Sequence, residues 1–337
     1  RRVLLRSNCY QKSIEILQCL CQVLWHICCA NYPQGMKNQK TLKQAVSISG
    51  IGLHSGKRVT LTLHPARANT GIRFQRTDLL APLEIAANVR NVHSTTLATT
   101  LSNGNAKIST VEHLMSALWA MGIDNALCSV DGEELPILDG SAAPFAQLIR
   151  KAGVKSQRSP RRILVATKPI EIRSGDKWAT LKPSREFRIR YTIDFPHPVI
   201  GKQSFEYHAG TDFMKEIAPC RTFGFLKDVE RMQSMGLALG GSLQNAVVLD
   251  DVKALNPEGL RFQDEFVRHK ILDAIGDFSL IGYPILAEIE LHRAGHELQT
   301  RLVQELLEQV GAYSIYVPQD SEEFEAPLCL TQAAYAF

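Results

Sequence analysis

Val267-Arg-His269-Lys-Ile-Leu-Asp273-Ala-Ile275 decides the fold, because Val111-Glu-His113-Leu-Met-Ser-Ala117-Leu118 echoes it in the first half of the chain. Both are apolar runs at helical spacing that carry a histidine. Further from these runs, Ile172-Arg-Ser174-Gly175-Asp-Lys-Trp-Ala-Thr180-Leu181-Lys-Pro183 echoes Leu53-His-Ser55-Gly56-Lys-Arg-Val-Thr-Leu-Thr62-Leu63-His-Pro65. In each case a hairpin turn feeds an alternating strand that stops at proline. Each half closes with another helix, His296 to Gln309 in the second. Weak self-similarity of this kind is what duplication of an α+β unit leaves. The expected fold class is α+β, with two similar domains, each a sheet covered by helices.

The boundaries follow from the pattern. Domain I takes residues 36–160 and domain II residues 161–337, joined through the polar, apolar-poor segment Gly153 to Arg162, which reads as a linker. Domain I opens with strand-like pieces at Val46 to Ile48, Val59 to Leu63, Ile72 to Phe74 and Thr96 to Leu101. A helix is predicted from Ser109 to Gly122, with Val111, Leu114, Ala117, Leu118 and Met121 on one face, and a second from Phe145 to Lys151. Residues 1–35 differ in texture: Ile14 to Ala30 is apolar and Cys-rich but interrupted by Glu15, Gln18, Gln22 and His26. That is neither a clean membrane span nor a secretory cleavage pattern, so the segment reads as a leader or extension outside the fold, with Met36 as the natural start.

Composition narrows the function classes. A chain of 337 residues, 45% apolar and 21% charged, is globular, and a formal charge of +4 without a basic block argues against nucleic-acid binding. Five of eight cysteines fall in the first thirty-five residues, leaving Cys128, Cys220 and Cys329. Three scattered thiols indicate a reducing compartment rather than a disulfide framework.

On a helix, His269, Asp273 and Asp277 share one face. They form either a solvated face with an ordinary His/Asp pair, or part of a metal site: imidazole and carboxylate suit Zn²⁺, and a catalytic zinc needs three protein ligands plus an open position. His113 offers a third ligand beside Glu112, a carboxylate able to take a proton from water. Equally, Ser109 and Glu112 fit a capping box. Gly295-His296 puts an imidazole before an amphipathic helix, where the helix start lowers its basicity and a carboxylate such as Asp277 raises it; a surface histidine is the plainer alternative. Arg221-Thr222-Phe223-Gly224-Phe225 offers a hydroxyl and an aromatic face, or simply core packing. Gly240-Gly241-Ser242 is a substrate loop or a turn, and Cys220, without a neighbouring histidine, is expected to be inert.

Seven blocks in order, from about Thr41 to about Gln309, carry a resemblance. Ile51-Gly-Leu-His-Ser-Gly56, Ser109-Thr-Val-Glu-His113, Pro136-Ile-Leu-Asp-Gly-Ser141, Arg221-Thr-Phe-Gly224, Gly240-Gly-Ser242, Phe266-Val-Arg-His-Lys-Ile-Leu-Asp-Ala-Ile-Gly-Asp277 and Ala294-Gly-His296 resemble the signature blocks of the UDP-3-O-acyl-N-acetylglucosamine deacetylases. The resemblance implies two α+β domains, each a two-layer sandwich, facing each other across the active site. It implies removal of the N-acetyl group from UDP-3-O-acyl-N-acetylglucosamine with release of acetate, an early committed step of lipid A biosynthesis. One zinc per chain would be held by His113, His269 and Asp273, a set that iron also suits. Glu112 would be the general base and His296 the general acid, oriented by Asp277. Thr222 would stabilise the oxyanion, Phe223 would line the substrate site, and Lys270 would contact the diphosphate or the reaction centre. A cytoplasmic monomer that acts on a small molecule, with no nucleic-acid partner and no stable membrane insertion, goes with this reading.

Two departures are minor: Ala98 and Thr100 stand where some members carry cysteine, and Pro219-Cys220 precedes Arg221. The competing readings are a non-catalytic metal-binding paralogue of the same fold and a metal-independent hydrolase using Glu112 and His296.

Overall fold

Alternation along Arg58–Pro65 buries Val59, Leu61 and Leu63 and turns Thr60 and Thr62 away from the core. This strand pairs antiparallel with Val46–Ile51, and the loop between them is closed by the Gly52 N–H donating to the Lys57 carbonyl. Its other edge meets Ala126–Val130, which runs parallel to Ile72–Arg76, and Leu83–Ala86 completes a five-stranded sheet. The computed structural model describes residues 37–318. The leader at 1–35, the start at Met36 and Cys329 lie outside the described residues.

The second hairpin also forms: Ile170–Ser174 and Lys177–Pro183 pair antiparallel, with Ser174 opposite Lys177 across Gly175 and Asp176. They belong to a seven-stranded sheet centred on Ile285–His292, which pairs with Lys177–Pro183, Phe187–Phe195 and Ile163–Ala166. All its strands come from residues 163–316, whereas the five-stranded sheet draws only on residues 46–130.

The segment read as a linker is instead a strand. Val154–Pro160 pairs antiparallel with Asn38–Leu42 in a two-stranded ribbon. Its polarity misleads because side-chain amides knit the ribbon to its neighbours. Asn125 donates to both Gln39 and Gln157, at 2.9 and 2.8 Å, and Gln157 donates to the Ala66 carbonyl. Thr96 to Leu101 is likewise shorter as a strand, Thr100–Ser102, because Leu97 adopts φ +63°, outside the extended region.

Six helices are described: α1 (Glu112–Ala120), α2 (Ala143–Ala152), α3 (Phe213–Glu216), α4 (Leu226–Ser234), α5 (Glu265–Ser279) and α6 (His296–Glu308). None is long and apolar enough to cross a membrane. Helix α2 packs on Val46–Ile51 and α1, α5 packs on Phe187–Phe195 and Gly201–Tyr207, and α6 covers α5 and the second hairpin. The two halves meet where α1 crosses α5. Gly276 permits that crossing, since a Cβ there would stand 2.1 Å from the Glu112 carbonyl oxygen. This explains a glycine in a helix interior, where it otherwise costs ~1 kcal/mol.

The predicted capping box does not form. Thr110, at φ +58°, delays the helix so that Glu112 is its first residue and Val111 precedes it without a side-chain cap. The Ser109 N–H donates instead to the Glu133 carbonyl. Helix α2 begins earlier than Phe145, at Ala143, with Pro144 in its first turn and the Ser141 hydroxyl accepting the Ala143 N–H.

Candidate active site

The polar face of α5 points inward: His269, Asp273 and Asp277 are 1%, 2% and 2% exposed, so a solvated face is ruled out. From α1, His113 meets them edge-on, its ring centroid 5.0 Å from that of His269. The Nε2 atoms of His113 and His269 lie 3.4 and 3.3 Å from the same oxygen, Asp273 Oδ1. His269 Nδ1 donates to the Cys220 carbonyl at 3.0 Å, which turns the lone pair of Nε2 toward Asp273. Asp273 Oδ2 accepts from Lys270 Nζ at 2.8 Å. Oδ1 is buried without a hydrogen-bond partner, as is His113 Nδ1.

A carboxylate oxygen buried against two imidazole nitrogens and lacking a donor is costly unless a cation meets it. The three ligand atoms lie within 4.8 Å of one another. Two imidazoles and a carboxylate fit a divalent metal and leave a coordination position open. The protonation states agree. Burial, then the neighbouring His113 and Lys270, lowers the His269 pKa to about 3, keeping it neutral. Burial opposes ionisation of Asp273, but the Lys270 ammonium against its Oδ2 helps to hold the carboxyl well below the usual range.

Glu112 and His296 flank this cluster. Glu112 Oε2 accepts the Thr99 N–H at 3.2 Å, and burial pushes its carboxyl up. His296, first residue of α6, has Nδ1 2.6 Å from Asp277 Oδ2 and Nε2 3.8 Å from Glu112 Oε1. Burial works against the imidazolium, but the Asp277 carboxylate outweighs it and raises the pKa to about 9. With its side chain 11% exposed, His296 is not a surface histidine. Three non-glycine residues in the left-handed region sit close to this machinery in sequence: Leu97, Thr110 and Arg293, at φ +63°, +58° and +50°. Such strain persists only where its surroundings enforce it.

Phe223, in strand Phe223–Phe225, packs edge-on to Phe266 at 5.0 Å and stands 6.5 Å from the His269 ring. Lys270 Nζ lies 5.6 Å from the Phe223 centroid. Thr222 is half-buried, its N–H donating to the Gly140 carbonyl and its own carbonyl accepting from Val247. This strand is anchored by a buried ion pair that the sequence reading missed: Arg221 Nε donates to Glu265 Oε1 at 2.9 Å, and neither side chain is more than 2% exposed. Gly240 lies in a turn closed by the Gly241 N–H donating to the Ala238 carbonyl, and it packs on the first hairpin loop, where a Cβ at Gly240 would fall 2.2 Å from the Gly52 carbonyl oxygen. Cys220 is buried and its thiol pKa is pushed up by burial, so its contribution to the site is its carbonyl. Thr99, unnoticed in sequence, touches Asp277, His296 and Glu112 together.

Fold and site together define an α+β protein with a buried His–His–Asp set suited to a metal and an acid–base pair beside it. The chain belongs to the UDP-3-O-acyl N-acetylglycosamine deacetylase family, whose sequence model matches residues 39–308. It is 54% identical over 289 residues to the UDP-3-O-acyl-N-acetylglucosamine deacetylase of Myxococcus xanthus (strain DK1622), covering 86% of this chain and 92% of the relative. The proteins of that name from Histophilus somni (strain 129Pt) and Geotalea uraniireducens (strain Rf4) are 49% and 48% identical, over 292 and 306 residues. Those matches span 86% and 89% of this chain and 96% and 99% of the relatives.

Proposed function

We propose that this protein hydrolyses the N-acetyl group of UDP-3-O-acyl-N-acetylglucosamine, releasing acetate in lipid A biosynthesis, with zinc held by His113, His269 and Asp273. The observation that carries the reading is the unpartnered Asp273 Oδ1 facing two imidazole nitrogens, with a buried carboxylate and a charged histidine alongside. When bound, the metal supplies Lewis acidity, which brings the pKa of water to about 7.

The remaining chemistry belongs to side chains. Glu112 takes the proton of the attacking water, a task its burial favours. His296 Nε2 gives its proton to the leaving amine, while Asp277 holds Nδ1 and keeps the ring in register. The Thr222 hydroxyl donates to the tetrahedral oxyanion and Lys270 supplies positive charge at the rim. Phe223 forms one wall for the sugar. Leu226, Met235, Leu239 and Leu243, exposed apolar residues that follow this strand, offer the surface for the acyl chain.

The same reading divides the chain at residues 36–160 and 161–337 into two similar domains with the site between them; the separate strand supply of the two large sheets supports it. It also takes the protein to act as a cytoplasmic monomer. Acetate release from the acylated UDP-sugar tests the reading. Turnover is expected in the wild type and should be lost in Asp273→Ala; a wild type that binds metal without releasing acetate would mark a non-catalytic paralogue.

A further inference from the structure

Thr99 is fully buried and spends its N–H and its hydroxyl on the reaction machinery. Its Oγ1 donates to Asp277 Oδ1 at 2.6 Å and lies 3.3 Å from His296 Nδ1. Its N–H donates to Glu112 Oε2 at 3.2 Å, and its carbonyl accepts the N–H of Val111, the residue before α1, at 3.4 Å. The left-handed turn at Leu97 brings this residue into the interior just before strand Thr100–Ser102. One residue thus bridges the base on α1, the carboxylate on α5 and the imidazole on α6.

The hydroxyl has one proton, and an ionised carboxylate only accepts. The proton therefore goes to Asp277 Oδ1, leaving Oδ2 for the Nδ1–H of His296. With both oxygens engaged, the plane of the carboxylate is defined and so is the direction of His296 Nε2. We propose that Thr99 is a positioning residue for the deacetylation: its hydroxyl aligns the Asp277–His296 pair against Glu112, so that acid and base act on the same bound amide. The inference rests on the function proposed above.

Thr99→Val keeps shape and volume and removes the donor, whereas Thr99→Ser keeps the donor and removes only a methyl group. In steady-state assays of acetate release, Thr99→Val should lower kcat by roughly 10- to 100-fold, the range for lost outer-shell partners. KM should stay within about twofold, metal content should be unchanged, and Thr99→Ser should recover kcat to within about threefold. In an Asp277→Asn background, adding Thr99→Val should cost less than about threefold, because the two changes disable one unit. Wild-type kcat in Thr99→Val overturns the proposal, as does a Thr99→Ser enzyme no better than Thr99→Val, or additive losses in the double variant. Loss of metal together with activity also overturns it. If Thr99→Val cannot be purified folded, Thr99→Ser compared with Thr99→Ala carries the same test. A wild type without acetate release would strike the proposed function instead, so the two failures are distinguishable.

Discussion

Replacing Asp277 with asparagine isolates the electrostatic part of the site. The amide oxygen can still accept the Nδ1–H of His296, so shape and hydrogen bond survive while the charge goes. With Asp277 in place the imidazole titrates at about 9, against the ordinary 6.5, although burial opposes the charged form. That rise corresponds to ~3 kcal/mol in favour of the imidazolium. Because the folded pKa is raised, this stabilisation is complete below about 6.5 and is lost as pH rises through about 9. Without the Asp277 carboxylate the largest influence favouring the imidazolium is gone, and although Glu112 and Asp273 still favour it against burial, the pKa should fall toward about 6.5. At pH 8 the protonated fraction then drops from about 0.9 to about 0.03, a roughly 30-fold loss of acid catalysis, whereas at pH 6 the two enzymes differ by less than about twofold in protonation. A pH–rate profile of acetate release reads this directly: the alkaline limb should move from near 9 toward about 6.5. An alkaline limb that stays near 9, or equal losses at pH 6 and pH 8, would refute the assignment of His296 as the acid held charged by Asp277.

Other consequences concern the metal and the frame. His113→Ala and Asp273→Ala should lose bound metal and turnover together, while Glu112→Ala and His296→Ala should keep metal, by elemental analysis, and lose ~10²–10⁴-fold in kcat. Gly276→Ala drives a methyl group into the backbone of Glu112 and should lower stability by ~1–3 kcal/mol in denaturant titration, with weaker metal retention; an unchanged midpoint would contradict the close crossing of α1 and α5. Glu265→Ala leaves Arg221 buried without its main partner and should cost ~3–5 kcal/mol, visible as a lowered Tm, whereas an exposed pair such as Arg73–Glu84 should matter by less than ~1 kcal/mol.

Much of this was legible in sequence where the relation is local. His269, Asp273 and Asp277 lie along one helix, and helical periodicity sets their common face before any fold is known. The α+β class was readable from hairpins and helices recurring in the two halves. Long-range relations were not. Nothing in spacing joins His113 to His269; their meeting depends on the crossing at Gly276, and in sequence it rested on resemblance. Thr99 is one hydroxyl among many, and only the left-handed Leu97 reveals why it is carried inward. Two local patterns also misled. Ser109 and Glu112 match a capping box, yet Thr110 breaks the helix between them. The polar run after Gly153 looks like a linker because a ribbon secured by buried amides needs few apolar residues.

In the proposed function, hydrolysis depends on a metal held by His113, His269 and Asp273. The most direct test follows bound metal and acetate release in the same samples during chelation and zinc re-addition. Both should fall in proportion and recover together in the wild type, and His269→Ala should regain neither. Full acetate release from metal-free protein, or restored metal and turnover in His269→Ala, would show that hydrolysis does not depend on a metal at these residues.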